Sequence, residues 1–189
     1  MAENKVRFGL KNVYYAVLTE GSSNSWATPV AVPGAVNMDL ASNVASSDFY
    51  ADNVTYFKTF SDNGYTGTLE MARIPDQMLI DIWGASISSG TLLEKSGIQP
   101  KPFALLFQIE GDQEAELNVL YRCVPTSKPT AGSQTTEESA DPVTQSFDFD
   151  ALPLVTGVSA QQGLIRNRTI SSTSTTVRAG WFSSVNVPT

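Results

Sequence analysis

The run Val13-Tyr14-Tyr15-Ala16-Val17-Leu18 is apolar at odd and even positions alike. Successive side chains of a strand point to opposite faces, so the strand predicted over 12–19 must be covered on both sides. Phe103, Leu105, Phe107 and Ile109 share one face of a second strand. After the turn Gly111-Asp112-Gln113 they are answered by Leu117, Val119, Tyr121 and Cys123, which predicts a hairpin. Phe147 and Phe149 alternate with Ser146, Asp148 and Asp150, the pattern of a strand with one dry and one wet face.

Other elements are read in the same way. From Ala31 onward, Val36, Met38 and Leu40 oppose Asn37 and Asp39. Tyr65, Gly67, Leu69 and Met71 form the apolar side of a later strand. Alternation from Val54 to Phe60 is followed by Ser61-Asp62-Asn63-Gly64, and the Asn-Gly pair predicts a tight turn. Pro75 to Trp83 reads as a helix. Proline suits the first helical position, Asp76 complements the helix dipole, Met78, Leu79, Ile82 and Trp83 fall on one stripe, and Gly84 follows as a cap. Residues 41–53 are small, polar and weakly patterned, a candidate mobile arm between strands. Residues 125–142 read as an exposed polar loop.

Seven or so short strands and one helix predict a mainly β fold, a β-sandwich or part-closed barrel with one flanking α-helix and an extended inter-strand arm. The 189 residues suit one domain, 1–189, with no internal boundary. Residues 156–189 form a C-terminal extension, rich in Ser, Thr and Gly until Trp181, Phe182 and Val185 restore something to bury.

The chain has no histidine, which removes the commonest general base, the Ser-His and Cys-His nucleophile pairs and most zinc sites. It has no nucleophile elbow, no phosphate-cradling loop and no dinucleotide fingerprint. The expectation is a protein that is not an enzyme and needs no cofactor and no metal. Asp148 and Asp150 form the best carboxylate pair, but a calcium site needs more converging oxygens than the sequence offers. Cys123 follows the apolar positions of its strand and reads as a buried small hydrophobe. Trp83, on the helix stripe, reads as core. Asn53-Val54-Thr55 and Asn167-Arg168-Thr169 match the glycosylation triplet by chance.

A formal charge of −7 opposes phosphate binding, which draws its affinity from Lys and Arg displacing counterions. One cysteine excludes an internal disulfide and fits a reducing cytoplasm. Met1-Ala2-Glu3-Asn4-Lys5 lacks the apolar core of a signal peptide, and no run reaches the roughly 20 apolar residues of a membrane span.

Three stretches carry a resemblance. They are Val6-Arg7-Phe8-Gly9-Leu10-Lys11-Asn12-Val13-Tyr14-Tyr15-Ala16, Phe49-Tyr50-Ala51-Asp52-Asn53 and Gln99-Pro100-Lys101-Pro102-Phe103-Ala104-Leu105-Leu106-Phe107. Supporting them are Ala31-Val32-Pro33-Gly34-Ala35-Val36-Asn37, Asn63-Gly64-Tyr65-Thr66-Gly67, Ile74-Pro75 and Trp181-Phe182-Ser183-Ser184-Val185. In this order they resemble the major tail protein family, the tail tube proteins of long non-contractile-tailed bacteriophages (siphoviruses). The resemblance covers most of 6–155 and is weakest over 158–176.

It implies a structural virion protein, made in the host bacterial cytoplasm and built into the virion tail. Six copies close into a ring, and rings stack into a tube around a tape measure protein, between tail initiator or baseplate and tail terminator proteins. DNA leaves through the lumen in passage, unbound. Phe49, Tyr50, Asp52 and Asn53 are then expected to anchor the arm on a neighbouring subunit, and Asp148 and Asp150 are the acidic residues assigned to the lumen.

Two other readings compete. A β-sandwich binding module of a phage tail fibre or decoration protein would carry an exposed aromatic platform and bind sugar saturably, whereas a tube protein is expected to show neither. An enzyme subunit active only in complex is the other. The inner tube protein of a contractile system is a closer cousin of the tube reading, sharing its ring and lumen.

Overall fold

A computed structural model describes residues 4–130, 132 and 142–188. The fold is mainly β: one antiparallel sheet, not closed, with two helices. Its strands are β1 (Arg7–Thr19), β2 (Ser25–Trp26), β3 (Val30–Val32), β4 (Ala35–Ala51), β5 (Val54–Met71), then, after the helix and a small hairpin, β8 (Phe103–Gly111), β9 (Glu116–Pro125), β10 (Gln145–Ala151) and β11 (Arg166–Arg168). Helix α1 (Asp76–Trp83) is followed by the separate hairpin β6 (Ser86–Ser88) and β7 (Thr91–Leu93). The order across the sheet is β2-β1-β8-β9-β10-β5-β4, with β3 also on β1 and β11 also on β9.

The two-faced apolar strand is covered on both sides, as its pattern requires. Val13 and Tyr15 of β1 enter one core with Phe103, Leu105, Phe107, Leu69, Met71, Phe147 and Phe149. Ala16 and Leu18 enter a second core, on the other face, with Ala104, Leu106, Val119, Tyr121 and Trp181. Full burial of each Phe removes enough apolar area to contribute about 2–3 kcal/mol, so the paired cores supply most of the driving force.

Helix α1 closes the first core. Met78 and Ile82 are buried, and Leu79 and Trp83 pack against the same cluster. Pro75 precedes the first turn, and Gly84 takes a left-handed φ of 70° and returns a backbone bond to Leu79. Tyr15 Oη donates to Asp81 at 2.7 Å, fastening β1 to this helix.

The C-terminal residues cover the second core. β11 pairs with Asn118–Leu120 of β9, just below the stretch that β10 occupies. A second, short helix that the sequence did not announce, α2 (Thr175–Gly180), begins at Ser174, whose side chain accepts from Val177. Beyond it Trp181 is buried, Phe182 stacks on Tyr14 at 4.8 Å, and Tyr121 Oη donates to the Asn186 carbonyl at 2.7 Å. Residues of the C-terminal extension thus pair with β9 and pack against the second core.

Two local expectations fail. Asn63-Gly64 is not a turn: both residues lie inside β5, at a bulge that answers Asn43 of β4. Gly64 has a φ of 90°, so the same conformational freedom that suits a turn serves a bulge instead. Val36 does not share a face with Met38 and Leu40, because a register shift between Ala35 and Asn37 leaves it outside the alternation and about half exposed. The Thr135-Thr136-Glu137-Glu138-Ser139 portion of the expected loop lies outside the described residues. No helix among the described residues is long and apolar enough to cross a membrane.

Candidate assembly surfaces

Residues 41–53, read as an arm without pattern, form most of β4, and they are one half of a two-stranded ribbon with β5. From the Ser42–Tyr65 pair the ribbon runs ten residues to its turn, about 30 Å at strand rise. Asp52 and Asn53 make the turn itself, with φ of 53° and 60°. Positive φ at both central positions is the condition of a type I′ turn, and Asp and Asn are the non-glycine residues that tolerate it.

Phe49 lies opposite Phe57, and a third register shift follows between Phe49 and Tyr50. The distal ribbon is aromatic and wet: Phe49 is 61% exposed, Tyr50 64%, Tyr56 73%, Phe57 60% and Phe60 70%. Val44 and Val54 add further exposed apolar surface. Scattered exposed hydrophobes are ordinary, but a cluster of this size on one element marks an interaction surface. β4 is also an edge strand, with no partner beyond it in the sheet among the described residues. Among the described residues its one charged pair along the ribbon is Lys58 with Asp48 at 3.3 Å.

Where the ribbon joins the body, the sheet face changes character. Register places Asn37 beside Glu70 and Ser146, Asp39 beside Thr68 and Asp148, and Ala41 beside Thr66 and Asp150. The opposite face carries Leu69, Phe147 and Phe149 of the core. Thr66 Oγ1 donates to Asp150 at 2.9 Å, Thr68 Oγ1 to Asp148 at 2.6 Å, and Thr144 Oγ1 to Glu70. Asp39, Glu70, Asp148 and Asp150 have no ion pair among the described residues. The structure therefore brings Asp148 and Asp150 together and adds two carboxylates that sequence reading did not connect to them. Threonine hydroxyls donate to Asp148, Asp150 and Glu70 and the Asn37 amide donates to Asp39, and no group of acids suited to a metal ion occurs among the described residues.

Phe49 and Tyr50 are not brought near Asp148 and Asp150 in sequence or in register: one pair tips the ribbon, the other lies at its root. Cys123 is buried in the first core, where burial pushes its thiol pKa up, so it is an inert packing residue. Trp83 is partly buried against the core, with its ring nitrogen donating to the Ser127 carbonyl at 3.2 Å.

No family model matches the chain, and no curated protein matches it by sequence. Among solved structures it is similar to the tube-terminating cap of the anti-feeding prophage. The identity is 13% and the TM-score 0.46, over 90% of this chain and 96% of that one. At that level the likeness decides neither fold nor role.

Sequence reading missed one polar cluster altogether. Glu116, only 7% exposed, receives three arginines: Arg7 at 2.9 Å, Arg168 at 3.0 Å and Arg166 at 3.4 Å. Beside it Arg178 pairs with Glu114 at 2.9 Å. These residues come from β1, the β8–β9 turn, β9, β11 and α2. The one signal available was Arg166-Asn167-Arg168, two cations on one face of a strand.

Proposed function

We propose that the chain is a structural subunit of a phage-type tail tube, in which six copies close into a ring and rings stack around a lumen. The observation that carries this reading is the β4–β5 ribbon. It projects about 30 Å beyond the core, ends in five exposed aromatics and has no core of its own. A two-stranded ribbon is marginal in water by itself, so this surface is built to be covered by another protein.

The sheet face at the ribbon's root supports the same reading. A face holding Asp39, Glu70, Asp148 and Asp150 without counter-charges repels phosphate, as the wall of a DNA conduit should. Six copies at −7 each place −42 on a ring, so DNA would slide without being held. The partners implied are further copies of the chain, a tape measure protein, and initiator or baseplate and terminator proteins at the two tube ends.

The exposed aromatic set also keeps the binding-module reading in play, since such a platform is its expected mark. Three of the five rings are Phe, without hydroxyls to orient a sugar, which favours protein contact.

Negative-stain electron microscopy of the purified protein, concentrated at moderate salt, tests the proposal. Six-fold rings or hollow tubes are expected. Protein that stays monomeric even with its initiator complex present, and binds sugar saturably, would overturn the tube reading in favour of the binding module.

A further inference from the structure

Three of the six arginines of this acidic chain, Arg7, Arg168 and Arg178, line one recess of about 240 Å³ between β1, the β8–β9 turn, β11 and α2, and a fourth, Arg166, pairs with the Glu116 of its wall. Among the described residues, Arg7, Arg166, Arg168 and Arg178 pair only with Glu114 and Glu116, a local excess of two positive charges within a protein of −7. A buried Glu116 needs cations, but one carboxylate does not need three guanidinium groups with five donors each.

The donors are unevenly used. Arg178 is committed through its terminal nitrogens to Glu114 and to the Ala115 and Ile170 carbonyls, yet its buried Nε has no partner among the described residues. Among the described residues, Arg168 uses only Nη1, on Glu116, and Arg7 only Nη2, on the same carboxylate. Both stand half-exposed at the mouth of the recess.

The recess also has a direction. β5 and β9 are both antiparallel to β10, so their N-terminal ends point to the same end of the sheet. Val54, beside the ribbon turn, and Glu116, in the recess, therefore look the same way, toward whatever the ribbon meets.

We propose that this recess receives a carboxylate side chain presented by a second copy of the chain, an inference that rests on the assembly reading above. The complement is abundant: the chain carries 19 acids against 12 bases, so acids remain for the contact between copies besides the four on the proposed lumen face. A single carboxylate offers two acceptor oxygens to the guanidinium forks without the long polyanion that the overall charge repels.

The experiment compares the assembly threshold of the wild type with Arg168→Gln, Arg7→Gln and Arg73→Gln, by sedimentation velocity and negative-stain imaging. All three variants lose one positive charge, but Arg73 lies just past the opposite end of β5 and among the described residues pairs only with Asp76. Loss of a desolvated charge partner is expected to raise the threshold about tenfold for Arg168→Gln and Arg7→Gln, with Arg73→Gln within about twofold of wild type. Arg7→Gln leaves two arginines on Glu116 and safeguards the comparison if Arg168→Gln folds poorly.

Equal thresholds in all four proteins, or an equal rise in all three variants, would overturn the proposal while leaving the assembly reading intact. Inorganic phosphate bound stoichiometrically in calorimetry, with assembly indifferent to Arg168→Gln, would identify a small-anion pocket and likewise overturn it. A wild type that never assembles, with initiator present, would sink the assembly reading, and the receptor role would fall with it.

Discussion

Phe49 and Phe57 stand directly opposite each other across the β4–β5 ribbon, yet each keeps about 60% of its surface in water. A cross-strand aromatic pair contributes roughly 0.2–1 kcal/mol, whereas full burial of one Phe contributes about 2–3 kcal/mol. The larger gain is therefore still outstanding in the single chain, and a neighbour that covers the pair collects it.

Excision of the distal ribbon should separate folding from assembly. Replacing 45–61, the residues between the Val44–Asp62 pair, with Asn-Gly removes nothing that belongs to either core. The melting temperature is expected to stay within about 5 °C of wild type, since no buried side chain is lost. Rings and tubes should be absent from micrographs. Removing 42–53 alone would be a poorer test, because it strips β5 of its partner and leaves an unpaired strand.

Gly64→Ala should be far more damaging than its position in an exposed-looking sequence suggests. An added Cβ would sit 2.0 Å from the Ala151 carbonyl oxygen, at a φ of 90° that L side chains rarely adopt. The backbone of β10 would have to move, pulling Phe149 with it. A loss of at least about 2 kcal/mol in urea unfolding is expected. A loss below about 0.5 kcal/mol would show that the bulge does not approach β10 as described.

The difficulty of the Asn63-Gly64 region is instructive about what the sequence could convey. Positive φ is what the dipeptide encodes, and both a turn and a bulge consume it. Asp52-Asn53, without glycine, carried the real turn. Strand alternation was legible wherever a face is buried, as in Val13–Leu18, Phe103–Ile109 and Phe147–Phe149. In the ribbon it was legible over Val54–Phe60 of β5 but not in the β4 half, because a strand wet on both faces is under no pressure to alternate. The acidic sheet face was half legible, through Asp148 and Asp150; Asp39 and Glu70 join it only through pairing register. The Glu116 cluster draws on four segments separated by up to about 170 residues of chain, and no local pattern announces such a meeting.

Alkali should unfold the protein through its buried tyrosines. Burial raises the Tyr121 pKa from 10.0 to about 12, and burial together with its bond to Asp81 raises that of Tyr15 further. In the unfolded chain both titrate near 10, so above that pH the unfolded state binds fewer protons than the native state. Stability from this source is therefore intact below about pH 10 and is lost as pH climbs through 12. For Tyr121 the loss amounts to about 2 kcal/mol over that window. Urea midpoints measured from pH 9 to 12 check this, and Tyr121→Phe should flatten the decline. An unchanged slope in that variant would mean that Tyr121 is not the group responsible.

Salt should favour assembly, even though one proposed contact is ionic. The net −7 on each subunit generates a repulsion between whole surfaces, and this long-range part is what added ions screen, over a Debye length of about 8 Å at physiological ionic strength. A carboxylate seated among Arg7, Arg168 and Arg178 is partly withdrawn from solvent and is screened much less. Burial of the ribbon aromatics does not depend on charge at all. Raising sodium chloride from about 20 to about 150 mM is therefore expected to lower the concentration at which rings or tubes appear in light scattering. Faster polymerisation at the lower salt would mean that attraction between opposite charges, rather than burial of the ribbon, drives the contact between copies.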